Sequence, residues 1–380
     1  MKLSVLATRI LDQISPERTF ATNVLGTNFE KSVLISYITP PFSNGRIKFT
    51  HSSSVEVREI GKIFSELGYN VDIIRYNCDF EKVKFIKDKY DVVFGIEPNF
   101  LKAVTKFKPK KSIYYATGAY CKFQNEAETA RLNQLKNRRG ILLAPARKVA
   151  EHNSSDMADG VICFGNDWTK STYLNHNKKI EMIRISAFSH WNLKNISARD
   201  FSSAKKHFLW FGSIGAVHKG LDLLLEIFPK HPNLTLHICG NVEKEKDFIR
   251  LYRREFIRTK NIIFHGWINP DSAKYKKIVE TCAFTILPSC SESMNGAVPT
   301  GMYTGLIPLV SRECGLNVNQ SGEIFSDNSI ETIEKTIKKF SHLDSSELAK
   351  LSKSAFLFAR DNNAIESFKA DFDAAISQLL

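Results

Sequence analysis

The chain has 380 residues, of which 43% are hydrophobic and 24% are charged, and its formal net charge is +13. This length predicts two domains, and the composition is that of an ordinary globular protein. No apolar run approaches the roughly 18 residues that a membrane span requires. Arg9 interrupts the apolar start, and no small-residue cleavage site follows it. We therefore expect a soluble, cytoplasmic protein without a signal peptide.

The positive charge has two interpretations. A basic surface favours anionic partners, such as nucleotides, phosphorylated substrates, nucleic acid or an acidic membrane face. The alternative is a solvated basic surface that only keeps the protein in solution. The seven cysteines are scattered without a C-x-x-C pair or a His/Cys cluster at metal spacing. We interpret them as reduced core residues of a cytosolic protein and expect no structural metal.

The first half of the chain alternates strands and helices. Apolar runs bounded by polar residues predict strands at 32–38, 71–74, 91–96, 112–116, 161–164 and 180–185. A helix is predicted over Val55–Leu67, and Gly68 ends it. The alternation favours a parallel sheet with right-handed crossovers.

The sequence turns polar and aperiodic between Ser189 and Lys206, and we place the domain linker there. The alternation then restarts, with strands predicted at 207–211, 234–239, 262–264, 284–287 and 306–310. Helices are predicted at 221–228, 244–257, 272–282 (capped from Asn269 or Asp271), from about Ser293, and at 364–380.

Glu292 lies between the last two of these strands, just ahead of the predicted helix. Open α/β sheets bind ligands at the carboxyl ends of their strands, and a helix N-terminus favours a phosphate. The free N–H groups of Ser293, Met294, Asn295 and Gly296 would thus face a ligand together with Glu292. The alternative is one more βαβ unit with a surface glutamate.

A glycine-containing loop, GSIGAVHKG, follows the strand at 207–211. It is not a Walker A motif, because Leu221 stands where the lysine should be. There is also no G-x-G-x-x-G after either first strand and no G-x-S-x-G elbow, which argues against a dinucleotide cofactor and an acyl-transfer triad. What remains is an anion site at one sheet edge, built from the Gly212–Gly215 loop, Lys219 and the helix start after Glu292.

These motifs, in this order, resemble the donor domain of retaining GT-B glycosyltransferases (glycosyl transferases group 1, family 4-like). The matching segments are Gly212, Lys219-Gly220, FHGWI at 264–268, PSCSE at 288–292 and GLIPLV at 305–310. The resemblance implies an α/β fold of two Rossmann-like domains that face a cleft. It also implies an acceptor-side domain at 1–195, a nucleotide-sugar domain at 205–360 and a C-terminal helix at 361–380 that can cross back to the first domain.

The resemblance also implies roles for residues. Lys219 would neutralise the donor diphosphate, although a solvated lysine is the alternative, and Glu292 would hold hydroxyls of the transferred sugar. The donor-binding positions implied by the family are Gly45, Gly212, Ser213, Gly215, His265, Trp267, Ile268, Ser293, Met294, Asn295, Gly296 and Thr300. The alternative for Trp267 is a core side chain at a strand end. The resemblance implies a retaining transferase with a nucleotide sugar as co-substrate, no other cofactor and no metal.

Three positions depart from the family pattern. Thr300 stands where a second glutamate usually grips the ribose, and Ser213 stands where the loop usually carries an arginine. Thr117-Gly118 replaces a histidine near the sugar, and His51 or His152 is a candidate substitute unless it is a plain surface or packing residue. The departures predict either a reshaped donor site or a protein that has lost activity.

Basic stretches at 99–111 and 135–140 fall in the first domain. They could meet a glycan or lipid-linked acceptor at an anionic membrane, or they form a solvated face. Three further functions stay open: a non-catalytic GT-B binding module, a sugar-nucleotide epimerase on the same scaffold, and a nucleic-acid-binding protein. The last rests on charge alone, without a recognisable motif, and we expect no nucleic acid partner.

Overall fold

The computed structural model describes residues 19–43, 52–177, 179–187 and 191–380. Within these residues the strands form two sheets, one for each half of the chain. The strands are β1 Phe20–Ala21, β2 Lys31–Tyr37, β3 Tyr69–Arg75, β4 Val92–Gly95, β5 Lys111–Ala116, β6 Gly160–Phe164, β7 Ile180–Ile183, β8 His207–Phe211, β9 Thr235–Cys239, β10 Ile262–Gly266, β11 Phe284–Leu287, β12 Ile307–Val310 and β13 Glu323–Ile324.

Helices connect and cover these strands. They are α1 Pro40–Ser43, α2 Ser53–Glu66, α3 Asn99–Phe107, α4 Cys121–Arg139, α5 Ser154–Met157, α6 Asp167–Ser171, α7 Leu193–Ser197, α8 Phe201–Ala204, α9 Leu221–Ile227, α10 Lys246–Leu251, α11 Arg253–Arg258, α12 Ala273–Thr281, α13 Ala297–Met302, α14 Ile330–Ser341, α15 Ser345–Asn362 and α16 Ile365–Leu379. Short 3-10 turns lie at Phe80–Lys82, Phe228–Lys230, Val242–Lys244, Arg312–Cys314 and Asn319–Ser321.

The first sheet has the order β1-β3-β2-β4-β5-β6-β7. Its neighbouring strands are parallel, except that β1 is antiparallel to β3. Val33 and Ile35 of β2 face one hydrophobic cluster, whereas Leu34 faces another on the opposite side. Because both faces are covered, the strands read as continuous apolar runs rather than alternating ones.

The second sheet is parallel throughout, with the order β10-β9-β8-β11-β12-β13. Strands β9 and β10 follow β8 on one side of the sheet, and β12 and β13 follow β11 on the other side. The order therefore reverses between β8 and β11, and open α/β sheets bind ligands in the crevice at such a point. The predicted fold class, α/β with two Rossmann-like units, is confirmed.

Helix α16 packs on the first domain. Phe368, Phe372 and Ile376 are fully buried in the same cluster as β2 and β4. Asp371 pairs with Arg184 next to β7, with an Nη2–Oδ1 distance of 2.6 Å. The helix that follows the second domain in sequence thus completes the core of the first.

Two local predictions were wrong, and a third stretch is more ordered than its polar sequence indicates. The basic helix expected over 244–257 is two short helices, α10 and α11. Helix α12 is capped by Ser272, whose hydroxyl accepts from the Tyr275 N–H at 3.1 Å, and not by Asn269 or Asp271. The stretch expected as a polar linker contains α7 and α8, and Arg199 between them is buried and donates to the carbonyls of Thr304 and Gly305.

Candidate functional site

The candidate site lies where the chain leaves β8 and β11, on either side of the reversal point of the second sheet. Lys219 ends the glycine-containing loop after β8, and Glu292 lies in the loop after β11. The Lys219 N–H donates to the Gly215 carbonyl at 2.8 Å, and the Trp210 indole N–H donates to the Lys219 carbonyl at 3.1 Å. These bonds fold the loop back on itself and aim the Lys219 side chain at the neighbouring strand end.

Lys219 and Glu292 form a buried ion pair between Nζ and Oε1. The side chains are only 3% and 11% exposed, so the expected alternatives of a solvated lysine and a surface glutamate are wrong. Ser289 also donates its hydroxyl to Glu292 Oε1 at 3.2 Å. Burial by itself would raise the pKa of Glu292, but the charges of Lys219, His218 and Arg147 outweigh it and hold the pKa at about 2. Glu292 is therefore an anion across the physiological pH range.

His218 is a member of this cluster that sequence reasoning missed. Its Nε2 lies against the Ser291 carbonyl, which accepts a hydrogen bond and so favours the Nε2–H tautomer. Burial lowers the pKa of His218 to about 4, so the ring is neutral at pH 7. Its Nδ1 is buried and has no hydrogen-bond partner in the described part of the chain. The signal was its place beside Lys219, but a single histidine in a loop predicts little on its own.

The glycine loop already holds an anion, which belongs to the chain itself. Glu245 Oε1 accepts from the N–H groups of Gly215 and Ala216 at 2.7 and 3.0 Å. Burial raises the pKa of Glu245, and these two N–H groups partly offset the increase. The loop does bind a carboxylate as an anion site would, so a phosphate at the same N–H groups has to displace Glu245.

The segment after Glu292 is a loop and not the start of a helix, because α13 begins only at Ala297. The Asn295 N–H donates to the Cys314 carbonyl at 3.3 Å and is not free as expected. Met294 packs against the cores of both domains. Thr300 donates its hydroxyl to the Gly296 carbonyl at 2.7 Å, within its own helix.

Ser293 joins the two domains. Its hydroxyl donates to the Thr117 carbonyl at 3.0 Å, and its carbonyl accepts from the Thr169 hydroxyl at 2.8 Å. Thr117, expected on the acceptor side, is thereby brought next to the Glu292 loop. The neighbouring Gly118 carbonyl accepts from the Tyr173 hydroxyl at 2.8 Å.

Of the two candidate histidines, only His152 lies within the described residues. His152 packs edge-on against the Tyr114 ring, with a centroid distance of 5.5 Å, and burial lowers its pKa. That is the packing role expected as its alternative. His51 and Gly45 lie outside the described residues.

The end of β10 lies at the same sheet edge as Gly212. The Gly212 N–H donates to the Cys239 carbonyl at 3.0 Å, and the Gly240 N–H donates to the Gly266 carbonyl at 2.9 Å. Trp267 next to it is 54% exposed, so its interpretation as a core side chain is wrong, whereas Ile268 is buried. Trp267 therefore presents a free ring at this edge.

Three histidines form a hydrogen-bonded row across β8, β9 and β10. His207 Nδ1 and His237 Nε2 are 3.0 Å apart, and so are His237 Nδ1 and His265 Nε2. Burial lowers the pKa of His237 to about 3, and the two neighbouring rings lower it further. The His265 side chain therefore lies over the sheet, where it is hydrogen-bonded to His237.

Helix α4 of the first domain forms ion pairs with helices of the second domain. Arg138 pairs with Asp222 and Glu226 of α9, and Arg139 pairs with Glu226 and with Glu255 of α11. The basic stretch at 135–140 is therefore largely an interdomain contact and not a solvated or acceptor-facing surface.

Two open cavities lie near α4, with volumes of about 860 and 630 Å³. Both are lined by Phe123, and the larger one also by Cys290 and Glu313. Neither is lined by Lys219 or Glu292. Both cavities therefore lie away from the Lys219–Glu292 pair, which is buried where the two domains meet.

The described residues contain neither a cluster of metal ligands nor a helix that could span a membrane. No group of three or more His, Cys, Asp or Glu side chains there could hold a metal ion. None of the helices there has both the length and the apolar content to cross a bilayer. The cysteines are free thiols, as expected, and all but Cys78 are buried.

Residues 194–357 match the family model described as glycosyl transferases group 1. The match covers the Gly212–Gly220 loop, Lys219, Glu292 and the end of β10. The predicted enzyme class, a glycosyltransferase, is confirmed at this level.

Solved glycosyltransferase structures share the GT-B fold over nearly the whole chain. The Anabaena protein HepE in complex with UDP and glucose has a TM-score of 0.60 at 12% identity, covering 92% of this chain and 100% of its own. Sucrose-phosphate synthase from Thermosynechococcus elongatus has a TM-score of 0.59 at 14% identity, covering 92% and 98%. The catalytic domain of starch synthase IV from Arabidopsis thaliana, bound to ADP and acarbose, has a TM-score of 0.58 at 10% identity, covering 93% and 99%. No curated protein sequence matches the chain.

Proposed function

We propose that this glycosyltransferase is a retaining enzyme that moves a sugar from a nucleotide-diphosphate sugar to a saccharide, lipid-linked or other small acceptor, without a metal or a further cofactor. The observation that carries the proposal is the Lys219–Glu292 pair at the reversal point of the second sheet. An ammonium and a carboxylate at this point suit the two ends of such a donor, its diphosphate and its sugar. Solved structures of the same fold hold UDP, UDP-glucose and ADP, which supports a nucleotide-linked donor.

Glycosyl transfer needs compensation for the negative charge that develops on the departing nucleoside diphosphate. Lys219 would supply it as a fixed cation in a buried site, where preorganised charge is most effective. Glu292, ionised at physiological pH, would accept hydrogen bonds from sugar hydroxyls. The N–H groups of Ser293, Met294 and Gly296 would approach the distal phosphate.

Donor binding would have to separate Lys219 from Glu292, because the two now satisfy each other. It would also have to open the closed cleft, since Ser289, Ser291 and Ser293 around the pair are at most 3% exposed. We therefore expect binding to be coupled to a movement of the domains. The exposed Trp267 ring would then stack on the nucleotide base.

On the acceptor side, Thr117 and Gly118 would face the sugar from the first domain. A lipid-linked acceptor would be reached at an anionic membrane through exposed lysines of α3 and the segment after it, Lys102, Lys106, Lys108 and Lys110. Cosedimentation with vesicles tests this contact. Binding to phosphatidylglycerol vesicles that 0.5 M salt abolishes would support it, and equal recovery with neutral phosphatidylcholine would count against it.

A non-catalytic binding module is the second candidate. It is favoured because the charged groups of the site already pair within the chain. Lys219 pairs with Glu292, and Glu245 accepts hydrogen bonds from the glycine-loop N–H groups. A module of this kind would bind a nucleotide sugar without turning it over. Thr300 and Ser213, which replace charged residues of the family pattern, point the same way.

Thermal-shift screening against UDP, GDP, ADP and CDP sugars tests donor binding, because a ligand of the native state raises the melting temperature. The donor that binds is then assayed for hydrolysis and transfer in wild type and in Glu292→Gln. We expect the variant to lose at least about a hundredfold in kcat while its melting temperature stays within a few degrees. Binding without turnover in wild type would favour the module. A fall in melting temperature with unchanged activity per folded molecule would make Glu292 structural.

A further inference from the structure

Arg147 crosses from the first domain onto the glycine loop of the second. It lies in the segment between α4 and α5, and its side chain runs over Gly215. A Cβ atom at Gly215 would be 2.5 Å from Arg147 Cγ and 3.0 Å from Cδ. Gly215 also has a φ of +105°, so both its conformation and the passage of Arg147 require glycine there.

The backbone of Arg147 is held by two buried side chains of α4. Glu128 Oε1 accepts from the Arg147 N–H at 2.8 Å and from the Ala146 N–H at 3.0 Å. Gln124 donates to the Arg147 carbonyl at 2.7 Å. These bonds fix the irregular segment between α4 and α5 at Arg147. The long cationic side chain of Arg147 is thereby directed towards the second domain.

The charge of Arg147 reaches the candidate site. It helps to lower the pKa of Glu292 and that of His218, and it also acts on Glu128 and Glu245. Its buried Nε nevertheless has no hydrogen-bond partner among the residues that the structure describes. A buried donor without a partner is uncommon and indicates a place for a further acceptor.

The glycine loop supplies fewer positive charges than the diphosphate of the proposed donor carries. Lys219 is the only Lys or Arg in Gly212–Gly220, and it is engaged with Glu292. A nucleoside diphosphate brings at least two negative charges. The forked guanidinium of arginine matches phosphate oxygens in a bidentate way, which a lysine does not.

We propose that Arg147 is a ligand of the donor diphosphate that the first domain supplies, so that the donor site is shared between the domains. This inference rests on the proposed function. It makes Arg147 a second cation beside Lys219, at a position 72 residues before it in the chain. It also predicts that, after opening to admit the donor, the two domains close again over the bound diphosphate across the glycine loop.

The alternative is that Arg147 only neutralises Glu128, Glu245 and Glu292. Isothermal titration with UDP, GDP, ADP and CDP separates the two, using wild type, Arg147→Gln, Arg147→Lys and, as a matched control, Lys148→Gln. Lys148 is the exposed neighbour, so its loss changes the net charge equally. We expect R147Q to weaken the diphosphate that wild type binds by at least about tenfold, R147K to recover part of the loss, and K148Q to stay within twofold.

The outcomes distinguish the two proposals. If wild type binds none of the four diphosphates, the proposed function fails and this inference fails with it. If wild type binds one and R147Q binds it within twofold, the inference is overturned while the proposed function stands. Equal losses in R147Q and K148Q would show a general charge effect and also overturn it. Melting curves without ligand complete the test, because a purely neutralising role predicts that R147Q lowers the melting temperature and leaves the affinity for the diphosphate within twofold.

Discussion

Two buried carboxylates near the carboxyl ends of the strands, Glu56 in the first domain and Glu292 in the second, behave in opposite ways. Glu56 of α2 accepts from the Ser186 N–H at 2.9 Å and from its hydroxyl at 2.7 Å, but among the described residues no cation pairs with it. Burial raises the pKa of Glu56 to about 7, which these hydrogen bonds do not offset. Glu292 is buried as well, but Lys219 beside it holds the pKa at about 2. Burial thus sets the cost of a charge, and the neighbouring charge decides whether the residue ionises.

The largest effect should come from removing the cation of the second carboxylate. Lys219→Met leaves Glu292 buried without its ammonium, and we expect the free energy of unfolding at pH 7 to fall by about 3–5 kcal/mol. In this variant the pKa of Glu292 should rise towards that of Glu56. Denaturant unfolding measures the first effect, and the pH dependence of stability measures the second. The double variant Lys219→Met/Glu292→Leu should recover most of the lost free energy of unfolding. A loss of less than about 1 kcal/mol in Lys219→Met alone would contradict a tightly coupled pair.

The next effect concerns Glu56 and pH. Below pH 4.5 the residue is protonated in both folded and unfolded chains. Between pH 4.5 and about 7 the folded form keeps its proton and the unfolded form loses it, so stability falls as pH rises, by about 3 kcal/mol in all.

Glu56→Gln should remove this slope, because the amide oxygen can still accept from Ser186. We expect the variant to be about 1–3 kcal/mol more stable than wild type at pH 8 and to differ little at pH 4.5. Urea unfolding at a series of pH values is the measurement. A wild-type stability that stays flat from pH 5 to 8 would mean that Glu56 is ionised throughout.

The smallest effect concerns the hydroxyl that solvates Glu56. Ser186→Ala removes one hydrogen bond to the carboxylate and should cost about 1 kcal/mol at pH 8, where Glu56 is ionised. In the Glu56→Gln background the same change should cost less, which a double-mutant cycle measures. Equal costs in both backgrounds would show that Ser186 stabilises the fold independently of the charge.

The strands were predictable because they are buried on both faces. The run HFLWF at 207–211 is β8 to the residue, and the other main strands shifted only at their ends. The position of Lys219 and Glu292 at one sheet edge was also predictable, because each follows a strand end of a parallel sheet. Their mutual pairing was not, since it depends on a side-chain geometry that two separated motifs leave open.

Contacts between the domains could not be predicted. Arg138 and Arg139 belong to a basic stretch, and nothing local distinguishes a solvated arginine from one that pairs with Asp222 or Glu255, which lie 84 and 116 positions further on. Arg147 was missed for the same reason. The row of histidines had a weak signal, because each histidine falls in a strand of the second sheet, but the register that aligns them comes from the sheet.

Helix α16 gives the molecule an order of assembly. A ribosome synthesises β1 to β7 first, yet the surface that Phe368, Phe372 and Ile376 cover stays bare until the whole second domain has emerged. Such a surface on a nascent chain invites aggregation or chaperone binding. Removing the residues after 362 should therefore harm the half of the protein that is made first, and expressing that half alone would need α16 added back as a separate segment or fused to it.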